Sequence, residues 1–70
     1  MTEEAIDYYK EAIRIRPSFA LAHNNLGNAL VQKGEMKEAI DHYRETLKLK
    51  PDLVVAQKNL KIAISKLEKQ

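Results

Sequence analysis

Carboxamide side chains are the residues of this chain best suited to recognising another molecule. Asn24, Asn25 and Asn28 lie close together, and Asn59 follows Asn25 by 34 residues. A carboxamide offers both a donor and an acceptor, so it can bind a peptide backbone without requiring a particular side chain. Asparagine is also a poor helix former, so this cluster costs helix stability unless another role selects it. The repetition of Asn25 as Asn59 predicts ligand contact, and the alternative is solvated amides.

The sequence gives little indication of a metal site or a catalytic site. His23 and His42 are the two histidines, there is no cysteine, and no carboxylate cluster stands near them at ligand spacing. We therefore expect no metal and no cofactor, with His23 packed and His42 exposed to solvent. No nucleophile stands beside a base, and no glycine-rich phosphate loop is present, so we expect no enzymatic activity.

Composition narrows the class of partner. Twelve Lys and Arg against ten Asp and Glu give a net charge of only +2, and the basic residues are scattered. Nucleic acid is therefore not expected. The absence of cysteine fits a reducing, cytoplasmic compartment, and no apolar run is long enough for a membrane span. The remaining partner class is a protein or peptide.

An internal repeat predicts the elements that must position these residues. A shift of 34 residues superposes Ala5 on Ala39, Tyr9 on Tyr43 and Pro17 on Pro51. Helical spacing of apolar residues predicts four helices, at 3–16, 19–33, 36–50 and 53–68, and hence an all-α fold. Ser18 and Asp52 are placed to cap the second and fourth helices, Gly34 suits the left-handed end of the second, and Gly27 permits close helix packing.

The spacing of these residues resembles the tetratricopeptide repeat (TPR) family. The matching residues are the Leu26-Gly27 pair, Ala39 and Pro51. Three positions differ from the usual pattern, with His23 in place of Trp, Leu30 in place of Tyr and Tyr43 in place of Phe. The resemblance implies antiparallel helical hairpins in a right-handed superhelical solenoid, with the helices in the order B-A-B-A. It divides the chain into a partial repeat at 1–17, a complete repeat at 18–51 and a C-terminal solvating helix at 52–70.

In this family the A helices line a concave surface where partners bind. The resemblance therefore implies a peptide-binding surface formed by Asn24, Asn25, Asn28, Gln32, Lys58, Asn59 and Ile62. Leu21 and Val55 also face inward, beside these residues. One family mode clamps a C-terminal carboxylate, but Val55 and Asn59 stand where it needs basic residues. Asn25 and Asn59 instead match the asparagine ladder in the TPR arm of protein O-linked N-acetylglucosamine transferase, which binds an extended peptide backbone.

The first helix carries a second candidate surface. Its apolar residues Ala5, Tyr9, Ala12 and Ile13 match a face that, in a complete repeat, meets the A helix of the same repeat. Burying a large apolar side chain contributes roughly 1.5 to 3 kcal/mol, so we expect this face to be covered. The isolated segment is accordingly expected to self-associate as a homo-oligomer.

These observations favour a protein-interaction scaffold that binds an extended peptide segment on the A helices. Two alternatives remain open: the substrate-recognition arm of a larger enzyme, such as a protein glycosyltransferase, and a structural module that self-assembles through the first helix.

Overall fold

The computed structural model describes residues 2–70, which form four helices and, within that range, no strand. The helices are α1 (Thr2–Ile15), α2 (Ala20–Lys33), α3 (Met36–Leu49) and α4 (Val54–Glu68). Each helix packs antiparallel against the next one along the chain, and α2 also touches α4. The all-α prediction is therefore confirmed, as are the hairpin contacts of α1 with α2 and of α3 with α4.

The connections differ from the prediction in one respect. The capping roles predicted for Ser18 and Asp52 are wrong, because α2 and α4 begin later, after Phe19 and Leu53, and have no side-chain cap. Each X-Pro pair instead forms a β-turn, closed by backbone bonds of 3.0 Å from Phe19 N–H to the Arg16 carbonyl and 3.2 Å in the second turn. Proline fixes the backbone at the second position of such a turn, and the residue after it becomes the third.

Glycine ends α2 as predicted. Gly34 has φ +91°, in the left-handed region, and its neighbour Glu35 donates its N–H to the Leu30 carbonyl at 2.9 Å. This bond satisfies one of the last carbonyls of α2, and the chain turns into α3 within two residues.

The core lies around α2, which contacts each of the other three helices. Leu26, Leu30, Ile40 and Tyr43 are buried there, and Ile6 enters from α1. Ala63 brings α4 against the same cluster, and Ala56 is also fully buried on that helix. Small residues thus occupy the close contacts between helices, and large ones fill the spaces between them.

Helices α2 and α3 approach each other closely at Gly27. A Cβ added at Gly27 would lie 2.6 Å from Cε1 of Tyr43, well inside van der Waals contact. The expectation that Gly27 permits close packing is therefore confirmed, and the Tyr43 ring occupies the space that a side chain at Gly27 would fill.

Candidate peptide-binding surface

The two A-type helices, α2 and α4, are joined by a pair of asparagines. Asn59 donates from Nδ2 to Oδ1 of Asn24 at 3.2 Å. Asn24 is only 4% exposed, so its amide serves chiefly as an internal acceptor, whereas Asn59 is partly buried and keeps its own Oδ1. The bond fixes the orientation of the Asn59 amide, which leaves a carbonyl oxygen that can accept from a peptide N–H.

Large apolar side chains are exposed on both sides of this pair. Leu21 is 50% exposed on α2, and Val55 and Ile62 are 47% and 52% exposed on α4. Helical spacing places Leu21 one turn before Asn24, with Val55 and Ile62 one turn on either side of Asn59. Lys58, beside Asn59 on α4, is exposed as well. The surface thus combines apolar contact area with an oriented amide and a cation.

The other predicted carboxamides of α2 face α1 rather than α4. Asn25, Asn28 and Gln32 line an open hollow of about 230 Å³ whose other wall is formed by Ala5, Tyr9 and Ala29. At the edge of α1, Thr2 donates its hydroxyl to Oε1 of Gln32 at 3.2 Å. Within residues 2–70, no side-chain hydrogen bond engages Asn25. The carboxamides of α2 and the apolar face of α1 were predicted as separate surfaces. In the structure, residues of both line one open hollow.

Asn28 also has an internal role. The Tyr43 hydroxyl donates to Oδ1 of Asn28 at 2.6 Å. Burial raises the pKa of Tyr43, so this phenol stays protonated and remains a donor at neutral pH. Asn28 thereby holds the Tyr43 ring that packs on Gly27, although Asn28 itself is exposed to solvent.

The histidines form a pair between α2 and α3. Their rings stack with centroids 5.4 Å apart, and the two Nδ1 atoms are 3.1 Å apart. Because Nε2 of His23 donates to the Pro17 carbonyl at 3.0 Å, its Nδ1 is the acceptor and His42 donates. His23 is packed as predicted. The prediction that His42 is exposed to solvent is wrong, because its ring is partly buried against His23.

This environment changes the titration of His42. Burial lowers the pKa of His42, and the neighbouring His23 lowers it further, while Glu38 and Asp41 oppose the shift. His42 is therefore neutral at physiological pH and can keep its bond to His23. No sequence pattern predicts this pair, since residues 19 apart on different helices meet only through the crossing of those helices.

The α1 face, formed by Ala5, Tyr9, Ala12 and Ile13, is partly buried throughout. Ala5, Tyr9 and Ile13 pack against the core through α2. One repeat later, the counterparts of Ala5, Tyr9 and Ala12 are Ala39, Tyr43 and Thr46, which are fully buried because α2 and α4 cover α3 from both sides. One side of α1 thus lacks a covering helix among the described residues, and self-association through it stays a prediction.

Neither a metal site nor a membrane span emerges from the described part of the chain. Between Thr2 and Gln70, no three His, Cys, Asp or Glu side chains come together in a way that could hold a metal ion. No helix in that range is both long and apolar enough to cross a bilayer.

Comparison with known families agrees with this geometry. A family model described as "TPR repeat" matches residues 2–34, and a second, described as "Tetratricopeptide repeat", matches residues 20–53. No curated protein sequence matches the chain. Repeats of this kind generally act as non-enzymatic scaffolds for protein–protein interaction. The two matches together run from the start of α1 to the end of the turn after α3, and the chain belongs to the tetratricopeptide repeat family.

Proposed function

We propose that this chain is a protein-interaction module that binds an extended peptide segment across α2 and α4. The observation that carries the proposal is the exposure of Leu21, Val55 and Ile62 beside the Asn24–Asn59 pair. Exposed apolar side chains that flank an oriented hydrogen-bonding group are typical of peptide-recognition sites, because the first contribute affinity and the second fixes register.

The Asn24–Asn59 bond supports a backbone-directed mode. With Nδ2 engaged by Asn24, Oδ1 of Asn59 is presented in one orientation. An extended peptide displays N–H groups toward such an acceptor whatever its side chains are. Preorganisation of the amide removes part of the entropy cost of binding. Asn25 contributes differently, since its amide makes no internal side-chain bond within residues 2–70 and can rotate to donate or accept.

The positive charge on α4 adds a modest preference among peptide ligands. Lys58 is exposed beside Asn59, and Lys61 follows one turn of helix later. A peptide with a carboxylate near its contact with α4 would gain a surface ion pair, which contributes about 0 to 1 kcal/mol. The preference is therefore for mildly acidic or neutral segments, and the apolar contacts dominate the affinity.

Adjacent valines on α4 provide a matched test. Val55 lies on the proposed surface at 47% exposure, whereas Val54 is 57% exposed and turned about 100° around the helix. Peptides of twelve residues are selected from a random display library, and their affinity is measured by isothermal titration calorimetry. Covering the exposed half of Val55 contributes roughly 1 kcal/mol, so Val55→Ser should weaken binding about fivefold.

Val54→Ser is the control, because it makes the same chemical change on the side of α4 turned away from Asn59. It should leave the affinity within error of the parent chain. Equal losses from both substitutions, or a selection that yields no extended peptide, would contradict the proposal.

A further inference from the structure

We propose that the peptide bound across α2 and α4 carries an acidic side chain whose carboxylate binds between Arg16 and Lys50. These two cations line a hollow at the edge of the proposed peptide surface, where α2 begins. The inference rests on the proposed function, because it names the kind of peptide that the same surface binds. It goes beyond the modest charge preference of α4, because it places one carboxylate at one position.

The hollow lies between two successive repeats and has a volume of about 250 Å³. Arg16, Phe19 and Leu21 line it from the first connection and the start of α2, and Lys50 lines it from the connection before α4. Among residues 2–70, no acidic side chain lines this hollow, and neither cation forms an ion pair. The hollow therefore brings two positive charges together without a counter-charge from the described chain.

The backbone fixes both cations at equivalent places. Arg16 and Lys50 are 34 residues apart, and each directly precedes the proline of a β-turn. The carbonyl of each accepts the N–H of the residue three positions later, at 3.0 Å for Arg16 and 3.2 Å for Lys50. Proline restricts its own φ and also the conformation of the residue before it. The two side chains therefore extend from a backbone that the turns hold in place.

The Arg16 guanidinium is also oriented by a neighbouring ring. Its Cζ lies 5.8 Å from the centre of the Phe19 ring, a distance at which a cation and an aromatic face attract each other. A guanidinium can bind a carboxylate through two parallel hydrogen bonds. The start of α2 adds positive potential, because its first turn has no acidic residue and no side-chain cap. The two cations carry the inference, and the helix end reinforces it.

Leu21 connects this hollow to the proposed peptide surface. It is 50% exposed, and it both lines the hollow and lies one turn before Asn24. Side chains of an extended peptide alternate between two sides of the main chain. A peptide that runs over Leu21 and on to Val55 can therefore direct one side chain into the hollow while its main chain continues past. The group that binds is accordingly the side-chain carboxylate of Asp or Glu, rather than the carboxylate at the end of the peptide.

Selection of peptides with variants of the chain tests this inference. A random display library is selected with the parent chain and with the double variant Arg16→Gln/Lys50→Gln. Peptides selected with the parent should share Asp or Glu at one position relative to their apolar residues, and those selected with the double variant should not. The matched control, Lys37→Gln/Arg44→Gln, removes the same charge from another hollow, where Asp41 accompanies the cations. It should select the same acidic peptides as the parent.

A thermodynamic cycle measures the contact itself. Replacing the shared acidic residue of a selected peptide by its amide should weaken binding to the parent chain about fivefold, as expected for a carboxylate between two exposed cations. The same replacement should have little effect with Arg16→Gln/Lys50→Gln, because the contact is already lost. Lys50→Gln alone, which leaves Arg16 on Phe19, should give part of the effect. The loss should shrink at about 1 M salt, where the Debye length is about 3 Å.

Three results would overturn the inference while the peptide surface stands, with Val55→Ser still weakening binding. They are equal selection of acidic residues by Arg16→Gln/Lys50→Gln, an equal loss of affinity in the Lys37→Gln/Arg44→Gln control, and a loss on amidation of the peptide C-terminus with none from the side-chain replacement. Peptide binding that does not depend on Val55 would instead refute the proposed surface, and this inference with it.

Discussion

Replacing Gly27 by alanine tests the packing on which the whole arrangement of α2 and α3 depends. At an exposed helical position this change should stabilise the chain by about 1 kcal/mol, because alanine is the better helix former. At Gly27 the added methyl would meet three atoms of the Tyr43 ring, at 2.6, 2.9 and 2.9 Å. We therefore expect the opposite sign.

The magnitude follows from how little the ring can move. Tyr43 is 2% exposed, and its hydroxyl is held by Asn28 at 2.6 Å, so a shift of the ring would stretch that bond or separate the helices. Overpacking of this kind costs typically 1 to 3 kcal/mol, and the tethered ring puts Gly27 near the upper end. After the gain in helix propensity, the net loss should be about 1 to 2 kcal/mol.

Urea unfolding followed by circular dichroism measures this loss directly. For a chain this short, each kcal/mol also lowers the melting temperature by roughly 4 to 8 °C. In a Tyr43→Leu background the ring is gone, so Gly27→Ala should cost much less than in the parent chain. An unchanged or raised free energy of unfolding for the single variant, or equal costs in both backgrounds, would refute the assigned contact.

Two further predictions concern the histidine pair and the asparagines. Because the pKa of His42 is lowered in the folded chain, the unfolded chain binds more protons, so stability should be full above about pH 6.5 and fall as the pH drops through the lowered pKa. Unfolding measured from pH 7.5 to 5 should show this loss, and His42→Gln should flatten it. Asn59→Ala should destabilise the chain by about 1 kcal/mol because it removes the bond to the buried Asn24, whereas Asn25→Ala should be neutral or slightly stabilising. Equal melting temperatures for these two variants would contradict the different roles of the two amides.

Much of the fold was predictable because the repeat carries information twice. Tyr9 and Tyr43, each at the same place in its helix, indicated which face of α1 and α3 meets the core, and Gly27 indicated the close contact. Gly34 adopts the expected left-handed conformation, since that requirement is local to one residue. Features set by one helix or by the period could be read from the sequence.

Features that depend on how the helices cross could not be predicted from the sequence. His42 was expected in solvent, but α2 brings His23 over it, and no spacing within one helix encodes that contact. Asn24 is buried because α4 places Asn59 on it, so two residues predicted as independent ligand contacts form one bonded unit. The capping prediction failed at Ser18 because the preceding proline commits that residue to a β-turn.

The most direct test of peptide binding on α2 and α4 is a nuclear Overhauser measurement on the complex with a selected peptide. Peptide backbone amide protons should lie within reach of the methyl groups of Leu21, Val55 and Ile62, and the Asn59 side-chain amide should shift on binding. Intermolecular contacts confined to α1 or to the exposed side of α3, with the Asn59 resonances unmoved, would contradict the assignment of this surface.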